Sequence, residues 1–292
     1  MRLFVVDSFT AERFMGNQAG VALLDEGEDY PDREEMRILA AELKHSETAF
    51  VKKSGNTSYT IRYFTPVEEV DLCGHATIAL FTVLREVDGI LPGIYIADTP
   101  AGQLSIAVQD EMIWMDMADP VKLYEFGAEE CKALYSAYGL PVSAGQPGLA
   151  PQIIATGLRD ILLPVADKKT LDSAVMHAGQ VSSLSRQYDV VGVHMFCPGD
   201  AGYAAYCRNF APLYDIPEEA ATGTSNGGLA YYLREHGIIE DDRIYTFAQG
   251  EVLGKKSYIY TSISRNKVKI GGQAVITLEC RLYPQTLPRT KN

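Results

Sequence analysis

The residues best suited to chemistry in this chain lie around two glycines, Gly74 and Gly223. Each opens a segment of helical character: Gly74-His75-Ala76-Thr77-Ile78-Ala79-Leu80 and Gly223-Thr224-Ser225-Asn226-Gly227-Gly228-Leu229-Ala230. A helix N-terminus leaves backbone N–H groups free and carries partial positive charge, so it attracts anions. Two such ends facing one cleft would hold a carboxylate; the plainer reading is that the glycines permit tight turns. Glu47, in His45-Ser46-Glu47-Thr48-Ala49-Phe50, precedes an apolar strand where solvation requires no charge. It is either a proton-transfer group or an N-cap or surface acid. Glu218 and Glu219 precede the second glycine, where first-turn acids are stabilised by the helix dipole. If Glu47 and Glu219 share a cleft, repulsion raises one pKa, so one acid can donate while the other accepts. His75 sits where the dipole disfavours imidazolium, so a neutral ring is expected, with capping or packing as the plainer role.

The elements that position these residues repeat. Arg62-Tyr63-Phe64-Thr65-Pro66 and Arg208-Asn209-Phe210-Ala211-Pro212 share the pattern R-x-F-x-P, 146 positions apart in a chain of 292. Strand-like residues precede each, and an acidic stretch and a glycine follow. Further upstream, a strand holds Thr48-Ala49-Phe50-Val51 in the first half and Val193-His194-Met195-Phe196 in the second, with Phe50 and Phe196 again 146 apart, and that offset makes Val193 the counterpart of Glu47. The expected fold class is α+β, with two similar lobes from an internal duplication. Each lobe is a curved, mostly antiparallel sheet around a central helix. The lobes are expected at 1–118 and 119–292, with C-terminal strands able to pack back on the first. Asp32–Lys44 has helical apolar spacing, and Ala76–Leu84 is apolar all round, which marks a helix buried on every side.

Composition narrows the classes. Hydrophobic residues make 47% and charged residues 22%, which excludes a disordered chain. A net charge of -12 is a poor match for nucleic acid or an anionic membrane. The N-terminal apolar stretch Leu3–Val6 is too short for a secretory leader, and the nine-residue run Ala76–Leu84 falls below the roughly 18 residues of a membrane span. Five cysteines without C-x-x-C spacing fit reduced thiols in a cytoplasmic enzyme. There is no P-loop, no G-x-G-x-x-G and no G-x-S-x-G, and the five histidines form no H-x-x-x-H pair, so neither a metal nor a nucleotide site is expected.

Several blocks in order resemble the PhzF family of phenazine-biosynthesis-like isomerases, over nearly the whole chain. They are Asp7-Ser8-Phe9 with Phe14-Met15-Gly16-Asn17-Gln18-Ala19-Gly20-Val21, Ser46-Glu47-Thr48-Ala49-Phe50, Arg62–Pro66, Leu72-Cys73-Gly74-His75-Ala76-Thr77, Glu218–Gly223, Gln249-Gly250 and Gly271-Gly272. The resemblance implies a diaminopimelate-epimerase-like fold, often a homodimer, and isomerase chemistry without a cofactor. It implies that Glu47 shuttles a proton within a small carboxylate-bearing substrate, with His75 and Glu219 as further catalytic groups. Asn17, Ser46, Cys73, Gly74, Gly223, Thr224 and Ser225 are the implied substrate contacts. Glu219 and Thr224 stand where the family usually has aspartate and serine, and Lys255-Lys256-Ser257 where R-P-S is common. These departures fall where the substrate would lie.

Two other readings stand beside the isomerase. One is a thiol-assisted epimerase using Cys73, although related two-thiol epimerases carry a second cysteine where this chain has Thr222. The other is a non-catalytic binder of small carboxylates.

Overall fold

The computed structural model describes residues 1–200 and 202–283. The apolar run Ala76–Leu84 lies within a helix spanning Gly74–Val87 whose residues are buried from Gly74 to Leu84. Such a helix needs apolar partners on every side, and a sheet curled around it provides them. In chain order the first half comprises β1 (Arg2–Ser8), β2 (Asn17–Leu23), α1 (Arg33–Leu43), β3 (Glu47–Lys53), β4 (Ser58–Phe64), β5 (Glu69–Val70), α2 (Gly74–Val87), β6 (Gly93–Thr99), β7 (Gly102–Val108) and β8 (Ile113–Asp116). The second half comprises β9 (Val121–Glu125), α3 (Ala128–Ser136), β10 (Gln152–Ala155), β11 (Arg159–Pro164), α4 (Lys168–Ser173), α5 (Ala178–Tyr188), β12 (Gly192–Pro198), β13 (Ala205–Ala211), β14 (Ile216–Glu219), α6 (Gly223–Glu235), β15 (Ile244–Gln249), β16 (Ser257–Ser264), β17 (Lys267–Gly272) and β18 (Ala274–Cys280).

Both halves pair their strands in one pattern. The first sheet runs β18-β1-β2-β3-β4-β6-β7-β8, and the second runs β9-β10-β11-β12-β13-β15-β16-β17. Parallel pairs occur at matching places: β2 with β3 and β4 with β6, then β11 with β12 and β13 with β15. The fold is α+β and duplicated. β8 and β17 pair antiparallel and join the two sheets. The strand after each of these crosses over: β9 pairs with β10, and β18 returns to pair with β1. Helix α2 packs on β1, β2, β3, β8 and β18, while α6 packs on β10, β11, β16 and β17.

Pairing corrects the offset of 146 on one strand. Ala49 faces Tyr63 across β3 and β4, while His194 faces Asn209 across β12 and β13. With Tyr63 matched to Asn209, the counterpart of Ala49 is His194, and that of Glu47 is Gly192 rather than Val193. A one-residue slip turns every side chain to the other face of a strand. Val193 accordingly packs away from α6, in the cluster with Leu134, Leu163 and Phe210. Gly192 has no room for a side chain, because a Cβ there would lie 2.1 Å from the Phe210 carbonyl oxygen.

Glu218 and Glu219 are also not first-turn acids. They end strand β14, and three residues separate them from the body of α6. Alternation along the strand turns neighbours to opposite faces. Glu218 takes both Nε and Nη2 of Arg208, at 2.9 and 2.8 Å. In the first half Glu69 takes the same two nitrogens of Arg62, at 2.7 and 2.8 Å. The repeated R-x-F-x-P arginine thus ties each β4-like strand to the short strand after it.

Candidate active site

The candidate site is built from the two helix N-termini and the strand ends beside them. Cys73 is the N-cap of α2, and His75 lies in its first turn. Glu47 is the first residue of β3 and pairs with Ala19 of β2. This brings Glu47 Oε2 to 3.3 Å from His75 Nε2. Ser46 Oγ lies 3.2 Å from the same nitrogen. On the other edge of the ring, Nδ1 is 3.3 Å from Cys73 Sγ and 3.7 Å from Glu219 Oε1. The side chains of His75, Glu47 and Glu219 are 4%, 13% and 14% exposed, so the three meet in a nearly dry space.

Glu219 reaches this space from the second lobe and is held on several sides. Asn17 Nδ2 donates to Glu219 Oε1 at 3.0 Å and to the Ala221 carbonyl at 2.9 Å. The Thr222 hydroxyl donates to Glu219 Oε2. Gln249 Nε2 donates to the Glu219 carbonyl at 2.8 Å, and its Oε1 accepts from Asn226 at 2.8 Å. The duplicated frame carries each acid once. Glu47 corresponds to Gly192, and Glu219 corresponds to Val70, since Tyr63 pairs Val70 as Asn209 pairs Glu219.

The two helix N-termini touch. A Cβ on Gly74 would lie 4.0 Å from Gly223 Cα. Their N–H groups therefore give local positive potential in a chain of net charge -12. Burial, with the Glu47 charge adding to it, pushes the Glu219 carboxyl well above the ordinary carboxylate range. Burial pulls His75 down, against the opposing pull of Glu47, so the ring is neutral near pH 7. Burial and then the Glu47 charge push the Cys73 thiol up.

The fold brings Glu47, His75, Glu219, Asn17, Ser46, Cys73, Gly74 and Gly223 into one group. Thr224 occupies the place of His75 in the second lobe. Ser225 is not in the hydrogen-bonded group around His75: its hydroxyl donates to Asp160 Oδ2 at 2.6 Å. Sequence reading passed over Thr222, Gln249 and Asp160 as site residues. Gln249-Gly250 was visible as a block, but nothing in its spacing announced a latch on Glu219. Glu47, Cys73 and His75 also place one ligand atom each within 4.8 Å of one another, a set that can hold a metal ion. The separation of 26 positions from Glu47 to Cys73 hides this set from any spacing motif.

Comparison with known proteins agrees with this architecture. Residues 6–280 match the PhzC-PhzF family, described as phenazine biosynthesis-like protein. The chain belongs to this family. An uncharacterized isomerase of Clostridium acetobutylicum is 32% identical over 297 residues, covering 96% of this chain and 97% of its own. The crystal structure of the Bacillus anthracis PhzF-family protein superposes with a TM-score of 0.86 at 25% identity, covering 97% of this chain and 99% of that one. A probable proline racemase of Agrobacterium radiobacter, with bound carbonate, shares the fold at a TM-score of 0.64 and 12% identity. The chain is an enzyme of the PhzF isomerase type. Among the described residues no helix is long and apolar enough to cross a membrane.

Proposed function

We propose that the protein moves a proton within a small carboxylate-bearing substrate bound between the lobes, with Glu47 as the general acid/base and no cofactor. The observation that carries this reading is the placement of Glu47 and Glu219 on opposite edges of one neutral imidazole, beside two abutting helix N-termini. The substrate carboxylate sits on the N–H groups near Gly74 and Gly223. Glu47 takes a proton from carbon α or allylic to a carboxylate or carbonyl. The electron pair shifts along the conjugated system, and Glu47 returns the proton at another carbon, so substrate and product have the same composition. His75 orients the Glu47 carboxylate, and Glu219 supplies a second proton position. A positioned acid/base contributes roughly 10²–10⁴-fold, and oriented N–H donors stabilise the developing charge.

The thiol-assisted alternative finds less support. Cys73 has Thr222 opposite it, and its surroundings disfavour the thiolate that a base must be. We further propose a cytoplasmic homodimer that takes up neither nucleic acid nor membrane, in keeping with the acidic charge.

The test is incubation in D₂O with a panel of cyclic and unsaturated carboxylates, read by mass spectrometry. The wild type is expected to label a substrate, and Glu47→Gln to lose at least about a hundredfold in rate. Labelling by Glu47→Gln at the wild-type rate would remove Glu47 from the mechanism. Tight carboxylate binding with no label would favour the binder.

A further inference from the structure

Proton transfer uses the Glu47 carboxylate and the His75 ring but gives no work to the Cys73 sulfur between them. These three side chains are a carboxylate, an imidazole and a thiol, the ligand types of zinc-class ions. His75 Nε2 lies 3.3 Å from Glu47 Oε2 and 3.9 Å from Cys73 Sγ. Ligand atoms around one tetrahedral zinc are spaced roughly 3.3–3.8 Å apart, given its bond lengths to N, O and S. The first spacing falls in this range and the second just outside it, with all three ligand atoms within 4.8 Å of one another, a gap that side-chain rotation can close. Glu47 Oε2 is buried and accepts no hydrogen bond, which is the state of an atom that awaits a proton or an ion. The far ring nitrogen, Nδ1, faces Glu219 Oε1 at 3.7 Å. That is the carboxylate–histidine–metal order by which an outer acid fixes the tautomer of a ligating ring.

We propose that Glu47, Cys73 and His75 form a three-ligand site for a soft divalent cation of the zinc class, open to water at the fourth position, and that its occupancy blocks isomerisation. The blocking clause rests on the function proposed above, because the ion takes the lone pair with which Glu47 would accept a proton. The binding clause does not rest on it. Ligation releases the Cys73 thiol proton to solvent, and the thiolate and the Glu47 carboxylate together offset the two positive charges of the ion. The sulfur selects zinc and cadmium over magnesium.

The test is a titration of reduced, chelator-stripped protein with Cd²⁺, following the thiolate-to-cadmium charge-transfer band in the ultraviolet. A parallel arm measures Zn²⁺ by competition with a chromophoric chelator. The expected result is one ion per chain, a band lost in Cys73→Ser and kept in Cys280→Ser, and no response to Mg²⁺. Glu219→Gln keeps the band and weakens zinc by about tenfold or more. His75→Gln, with its thiol intact, loses at least as much affinity and serves as the check should Cys73→Ser misfold. Absence of the band, or a band that survives Cys73→Ser, overturns the site. D₂O labelling without metal tests the isomerase by itself. Labelling that continues at zinc saturation overturns the blocking clause alone.

Discussion

Ser8 and Thr156 occupy equivalent places in the two lobes and make the same bond. Ser8 Oγ donates to the His75 carbonyl at 2.8 Å, and Thr156 Oγ1 donates to the Thr224 carbonyl at 2.8 Å. Val6 pairs Ala19 as Ile154 pairs Asp160, which sets Ser8 opposite Thr156 in the duplicated frame. Each hydroxyl pins the first turn of the buried helix to the strand beside it, and so fixes where the free N–H groups point.

Removing either pin leaves a buried carbonyl without its partner, at a cost of about 1–3 kcal/mol. Ser8→Ala and Thr156→Ala are each expected to lose that much in urea denaturation. The sites are in separate lobes, so the double variant should lose close to the sum. A loss far from the sum would mean that the two helix ends are coupled through their contact.

Neighbouring acids on β14 should separate stability from activity. The Arg208 and Glu218 side chains are 8% and 11% exposed, against 27% and 17% for Arg62 and Glu69. Glu218→Gln strands a buried guanidinium and should cost about 3–5 kcal/mol, with Glu69→Gln costing less. Glu219→Gln should leave the thermal midpoint near the wild-type value and slow deuterium labelling by at least about tenfold. Equal melting behaviour for Glu218→Gln and Glu219→Gln would contradict this division.

Gly74 and Gly192 differ in the side chain they tolerate. A Cβ at Gly192 meets backbone, 2.1 Å from the Phe210 carbonyl oxygen, whereas at Gly74 the nearest atoms are side-chain ends at 3.5 and 3.6 Å. Gly192→Ala is therefore expected to lose about 3 kcal/mol or fail to accumulate. Gly74→Ala should stay within about 1 kcal/mol of wild type. Soluble yield and thermal melts measure both.

Two buried groups on the second sheet give stability opposite dependences on pH. Burial raises Asp160 to about 6, with the Ser225 hydroxyl and the Gly192 N–H pulling it back. Burial lowers His194 to about 4, against the hydrogen bond to Asn209 and the nearby Asn226 amide. The folded protein holds the Asp160 proton more tightly than the unfolded chain, so that stability fades as pH rises from about 4 to 6. It holds a proton on His194 less tightly, so that stability fades as pH falls from about 6.5 to 4. Each swing is worth about 3 kcal/mol. Denaturant midpoints between pH 4 and 8 should show Asp160→Asn gaining on wild type above pH 6 and His194→Gln gaining below pH 5. Parallel curves for all three proteins would sink the assignment.

Much of this was open to a reader of the sequence because a few residues carry local rules. The mostly apolar run Ala76–Leu84 marks a helix enclosed on all sides, and the two R-x-F-x-P segments disclose the duplication. The blocks around Glu47, Gly74 and Gly223 mark the cleft. Other features depend on pairing that no local pattern encodes. The slip that replaces Val193 by Gly192 is set by which residue of β12 meets Asn209. Whether Glu218 or Glu219 enters the cleft depends on their being strand, not helix. The buried Asp160 carries no local sequence signal, and only its burial against Ser225 reveals it.

The exchange of β9 and β18 has a consequence for the order in which the molecule can be completed. β1 leaves the ribosome long before its partner β18, which follows it by 272 positions at Arg2 and Ala274. The helix that carries Cys73 and His75 packs on both. The face of the first lobe that carries Cys73 and His75 therefore stays open along one edge until β18 is made. A stop codon near residue 270 would damage the beginning of the protein as much as its end.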